Sequence, residues 1–72
     1  MIVKVVSNIP YLQDLNGEHQ LEEGVMVKTF LQSIGVKWNI DALVVLNGKI
    51  CNGEERLNHQ DLIELLVPLS GG

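Results

Sequence analysis

Seventy-two residues, 46% of them hydrophobic, leave room for one small core, so residues 1–72 are expected to form a single domain. The one cysteine excludes an internal disulfide and a thiolate cluster as staples. Nine acidic against five basic side chains, a formal net charge of -4, argue against nucleic acid as a partner, because the phosphate backbone is bound through Lys and Arg.

The β-branched run at residues 1–7 breaks at Asn8-Ile9-Pro10 and predicts a first strand with Val3 and Val5 facing inward. It is interrupted by Lys4 and has neither the basic start nor the long apolar stretch of a signal peptide. No apolar run approaches the roughly 20 residues that cross a bilayer. A soluble cytoplasmic protein with no membrane partner is expected. Residues 11–17 carry no strong pattern, but Asn16-Gly17 is a turn dipeptide. A second strand is expected within residues 18–23, anchored by Leu21.

Val27, Phe30, Leu31 and Ile34 recur at i, i+3, i+4 and i+7 and predict an amphipathic helix, with Lys28 and Gln32 on the wet side. Gly35 is placed to end it in a left-handed conformation. Gly24 is read as its N-cap. Residues 36–41 then cross over to the apolar run at 42–46. Asn47-Gly48 and the short Lys49-Ile50-Cys51 turn that run into a hairpin. Asn52-Gly53 turns the chain again, and polar residues 54–60 lead to a last strand at 61–67, closed by Pro68. Period 2 assigns Ile63, Leu65 and Val67 to the core and Leu62, Glu64 and Leu66 to the opposite face. The order is ββαβ(β)β, an α+β plan with the helix packed on one face of a four- to five-stranded sheet.

The chain ends Pro68-Leu69-Ser70-Gly71-Gly72. Two glycines make those residues as thin and permissive as a peptide can be, so the tail could thread a narrow channel. An α-carboxylate is inert towards nucleophiles until a second enzyme adenylates it, whereupon AMP can be displaced by sulfur or by an amine.

At this point the sequence resembles the ThiS/MoaD sulfur carriers of thiamine and molybdenum-cofactor biosynthesis, which have the ubiquitin-like β-grasp fold. The resemblance covers nearly the whole chain. It rests on Leu21-Glu22-Glu23-Gly24, Val45-Leu46-Asn47-Gly48, Leu57 with Asp61 and Ile63, and most specifically on Pro68-Leu69-Ser70-Gly71-Gly72. It implies that Gly72 is adenylated by a partner resembling the ubiquitin-activating enzyme and converted to a thiocarboxylate, with Leu69, Ser70 and Gly71 forming the tail at about residues 69–72. It also implies docking through Leu66 and Pro68, a sulfur-donor protein and an acceptor synthase subunit. No cofactor or metal of its own is implied. Leu12-Gln13-Asp14 followed by Gly17 is similar to a Leu-Arg-Glu and later Gly of the small subunit of molybdopterin synthase, which inclines the resemblance to that branch over thiamine. The chain departs from the carriers at His59-Gln60-Asp61, where they often have Asp-Gly-Asp, and at Val25-Met26, where a Thr or Ser often follows the glycine.

The remaining chemistry-bearing residues have plainer readings. Cys51 lies near a hairpin with nothing beside it in sequence to lower its pKa, and is read as a packing thiol. His19 and His59 stand alone, without the i, i+4 spacing or cysteine cluster of a metal site, and are read as solvated. Glu22-Glu23 and Glu54-Glu55 are adjacent residues whose side chains diverge, hence turn charges rather than an acid-base pair. Trp38 is read as a cover for the open end of the core. No clustered nucleophile and base or phosphate-cradling glycine loop supports an autonomous enzyme. The readings left are a protein cosubstrate that carries sulfur, a ubiquitin-like modifier joined through Gly72, and a non-catalytic β-grasp binding domain.

Overall fold

The computed structural model describes residues 1–38 and 43–67. Strand β1 (Ile2–Ser7) is followed by a 3-10 helix (Pro10–Leu15), β2 (Gly17–Gln20), helix α1 (Val27–Ser33), β3 (Leu43–Leu46), β4 (Lys49–Ile50) and β5 (Leu62–Leu66). The strands form one sheet in the order β2-β1-β5-β3-β4. The β1–β5 pair is parallel and the other three are antiparallel.

The alternation in β1 and β5 decides which way the sheet faces. Val3, Val5, Ile63 and Leu65 are fully buried and pack with Val44, Leu57 and the helix residues Val27, Phe30 and Leu31 in a single cluster. Each buried aliphatic or aromatic side chain contributes about 1.5–3 kcal/mol. Ile34 and Trp38 are half-buried against the same cluster. The expected helical stripe and the expected cover residue are thus where the sequence puts them. Val67 is not: it lies beyond the last paired residue of β5 and is 50% exposed. Its N–H instead donates to Asn8 Oδ1 at 3.2 Å.

Residues 11–17, patternless in sequence, are largely taken up by the 3-10 helix, which opens at Pro10 as proline favours. Asn16 clamps its end back onto β1, accepting from the Ser7 N–H at 2.7 Å and donating to the Ser7 carbonyl at 3.1 Å. His19 faces inward rather than into solvent. Its Nε2 lies 2.7 Å from the Leu15 carbonyl, and its ring meets Phe30 edge-to-face with centroids 5.5 Å apart.

The helix starts one residue after Met26, not at Gly24, and no side chain caps it. Its free N–H groups are satisfied from across the fold. Val27 donates to the Glu55 carbonyl and Lys28 to the Gly53 carbonyl, each at 2.9 Å. That loop is itself braced by the Glu55 carboxylate, which accepts from the Asn52 N–H at 3.0 Å and the Gly53 N–H at 2.9 Å. These backbone donors hold the Glu55 carboxyl below the usual carboxylate range. Gly53 is required twice over: its φ is +97°, and a Cβ there would lie 2.6 Å from the Trp38 ring. At the other end Gly35, with φ +91°, closes the helix as expected.

Candidate functional site

Period 2 gives every inward strand residue an outward neighbour, and the registers align those neighbours into rows. Val6 of β1 pairs with Glu64 of β5, Glu64 with Val45 of β3, and Val45 with Ile50 of β4. In the next row Leu66 pairs with Leu43. In the row on the other side Glu18, Lys4 and Leu62 run across β2, β1 and β5. The face opposite the helix is therefore largely apolar. Ile50 is 71% exposed, and Ile2, Val6 and Leu43 are exposed too. Val45, paired with Glu64 on one side and Ile50 on the other, is only 9% exposed although it shares their face. An exposed apolar face of this kind is a candidate surface for contact with another molecule.

Leu66 lies on this face, half-buried and paired with Leu43. Pro68, Leu69, Ser70, Gly71 and Gly72 lie outside the described residues. Glu64 and Leu62 share the face with Leu66, as the alternation indicates. Val6, Leu43, Val45 and Ile50 complete it, although the sequence assigned none of them to this face. The signal for Val6 was there in its phase opposite to Val3 and Val5. The others needed the strand order.

The turns behind this face are held by Asp61 and Asn47. Asp61, 9% exposed, accepts from the Asn58 N–H at 2.7 Å and from Asn47 Nδ2 at 2.9 Å. Asn47 Oδ1 accepts from the Leu62 N–H at 2.8 Å, and the Asn47 N–H donates to the Leu62 carbonyl at the same distance. The β3–β4 hairpin, whose Asn47 and Gly48 both have positive φ, is thereby locked to the start of β5. Gln60 sits in the left-handed region at φ 71°, so the turn uses the conformation a glycine would adopt freely. The His59 ring takes up a neighbouring donor, its Nδ1 accepting from the Ile2 N–H at 3.0 Å.

Cys51 is half-buried against the core. Burial pushes its thiol pKa up; the Gly53 backbone N–H opposes this, and the nearby Glu55 carboxylate adds to it. A thiol so placed is a poor nucleophile. Among the described residues no group of three His, Cys, Asp or Glu side chains is placed to hold a metal. No described helix is long and apolar enough to cross a membrane. On the helix side, Lys28, Gln32, Gly35, Val36, Lys37 and Trp38 line an open groove.

A five-stranded mixed sheet with one main helix across its face is the architecture of a ubiquitin-like β-grasp domain. The model of the ThiS family matches residues 10–72, and the chain belongs to that family. Its members are sulfur carriers rather than catalysts, and they work with partner enzymes in sulfur transfer. A comparison with curated proteins gives no match.

Proposed function

We propose that this protein carries sulfur as a thiocarboxylate on Gly72 for cofactor biosynthesis, with molybdopterin as the favoured end product over thiamine. The observation that carries the reading is the family match, which runs through Gly71 and Gly72. In the first step the Gly72 carboxylate attacks the α-phosphorus of ATP on a partner adenylating enzyme. Pyrophosphate leaves and an acyl-adenylate forms. In the second step sulfide released by a donor protein attacks the acyl carbon, and AMP leaves with the bonding pair while the sulfur loses its proton. The product is a thiocarboxylate, delivered to an acceptor synthase subunit. The carrier contributes no acid, base or metal to either step; its part is to present the carboxylate on a thin tail and to dock.

Docking falls to the outer sheet face through Leu66, and to Pro68 beside it. β5 ends at Leu66, six residues before Gly72 in sequence, so a partner seated on Leu66 and Leu43 covers the end of the strand that leads into the tail. The supporting feature is the exposed apolar row on the face that the helix does not cover.

The test is intact mass after incubation with ATP, the adenylating enzyme and a sulfur donor. The full chain should exchange one oxygen for sulfur. Deletion of Gly72 should abolish the exchange without changing stability, because the last residue of a domain generally contributes little to its fold. Gly71→Val should impair it by thickening the tail, and Cys51→Ser should leave it intact. Sulfur gained by the deletion variant, or lost with Cys51→Ser, would refute the mechanism. Complementation of strains lacking either the molybdopterin or the thiamine carrier decides the branch.

A further inference from the structure

The outer face has one discordant residue at its centre. Glu64 is flanked across the sheet by Val6 and Val45 and along its own strand by Leu62 and Leu66, whose side chains share its face. It is half-buried there. Among the described residues its carboxylate accepts no hydrogen bond from a side chain or a turn, and residues 39–42 and 68–72 contain no Lys, Arg or His that could neutralise it.

Four of the five Lys and Arg side chains lie away from this face. Arg56 donates to the Gly24 carbonyl. Lys28 and Lys37 line the groove on the helix side. Lys49 pairs with Leu46, whose side chain belongs to the inner cluster, and so projects from the inner face. Lys4 is on the outer face, but it stands one row away, directly between Glu18 and Leu62.

A partner that covers this face must therefore take Glu64 out of water with no cation paired to it among the described residues, the Lys4 on the same face standing one row away opposite Glu18. An isolated buried carboxylate is strongly unfavourable, whereas one met by a well-placed guanidinium or ammonium is tolerated and selects for that partner. We infer that Glu64 is the specificity residue of the docking face, and that the cognate protein partner presents an Arg or Lys inside an apolar surface, seated between Val6 and Val45. This deepens the docking reading given above and rests on it. The same carboxylate, in a chain of net charge -4, turns the face away from anionic lipid and nucleic acid, which leaves a protein as the occupant.

Two measurements test the inference. The first uses the adenylating enzyme from the same source and the full chain, following ATP consumption at low and high salt. Glu64→Gln should raise KM at least tenfold, more than it lowers kcat, and should flatten the salt dependence. Glu64→Leu should not restore binding, and Glu64→Lys should be weaker still. If Glu64→Leu matches or exceeds the native chain, the face is purely apolar and the inference is overturned. The second needs no enzyme. A capped Leu-Arg-Leu peptide is titrated into the isotopically labelled protein, with Leu-Gln-Leu as control. Amide shifts should cluster at Val6, Val45, Glu64 and Leu66 for the arginine peptide alone and vanish with Glu64→Gln. Scattered shifts, or equal shifts with both peptides, overturn it. A native chain that the enzyme never adenylates sinks the carrier reading, and the peptide titration then decides the cation site by itself.

Discussion

The two faces of the sheet are built from the same strands, residue by alternate residue, yet they end differently. Inward, Val3, Val5, Ile63 and Leu65 are covered by α1 and Leu57 until almost nothing of them is exposed. Outward, Val6, Leu66, Leu43 and Ile50 are nearly as apolar, and no element of the described chain covers them. A soluble protein that needed only to fold would carry polar residues on that second face, as antiparallel sheets with one wet side usually do. Apolarity inside serves stability; the same apolarity outside is what the proposed docking uses. Substitutions on the two faces should accordingly fail in different assays.

The largest effect is expected from Phe30→Ala, which empties the centre of the inner cluster. It should cost about 3–5 kcal/mol in urea unfolding, a large share of what a domain this small has available. A loss below about 1 kcal/mol would remove Phe30 from the core and dissolve the contrast. Next is Asp61→Ala, which leaves the Asn58 N–H and the Asn47 amide without their acceptor. Its expected cost is about 2–3 kcal/mol, read as a drop in the urea midpoint. If Asp61→Ala is neutral, the lock between the hairpin and β5 does not hold the outer rows in place.

Leu66→Asp sharpens the comparison from the other side. Stability should change by less than about 1 kcal/mol, as for most surface substitutions, while adenylation by the partner enzyme falls at least tenfold. A variant that unfolds, or one that is adenylated normally, breaks the division between the faces. The smallest effect lies at the edge, in Cys51. With its pKa raised, the thiol should react with iodoacetamide more slowly than free cysteine at neutral pH, and speed up only as pH climbs past the ordinary thiol range. Rapid labelling near neutrality contradicts this.

Both perturbed groups also carry a sign for stability. The folded state holds the Cys51 proton to higher pH than the unfolded chain, so its contribution is complete below the unfolded thiol pKa and is lost as pH rises through the folded one. For Glu55 the folded pKa is depressed; its contribution is present above the unfolded carboxylate pKa and is lost as pH falls through the folded value.

Much of this was legible in the residues because local and global preferences agree. The β-branched run of β1, the Val27, Phe30, Leu31, Ile34 stripe, the Asn47-Gly48 hairpin and the outward phase of Leu62, Glu64 and Leu66 all follow from spacing alone. What escaped depends on groups distant in sequence. The helix is capped by carbonyls of Gly53 and Glu55, so a search for a capping side chain near Gly24 finds nothing. His19 looks solvated until Phe30 is folded against it. Glu64 becomes discordant only when β1 and β3 supply Val6 and Val45 as its neighbours. His59-Gln60-Asp61 departs from the carriers' Asp-Gly-Asp, and Gln60, standing where they have glycine, holds a left-handed conformation. Gln60→Gly should relieve that strain, and a gain of about 0.5–1 kcal/mol in unfolding free energy is expected.

The parallel pair at the centre of the sheet has a consequence for how the molecule comes into being. β1 pairs with β5, so the middle of the sheet joins residues 2–7 to residues 62–66. The hairpin that β1 and β2 could form alone is marginal in water, and contacts of such long sequence separation slow folding. During synthesis the early strands must wait, unprotected, until the segment bearing Leu62, Glu64 and Leu66 has been made. A β5 lost to premature termination would thus remove the proposed docking face and the sheet's centre in one stroke, and the shortened chain would be cleared as an unfolded one.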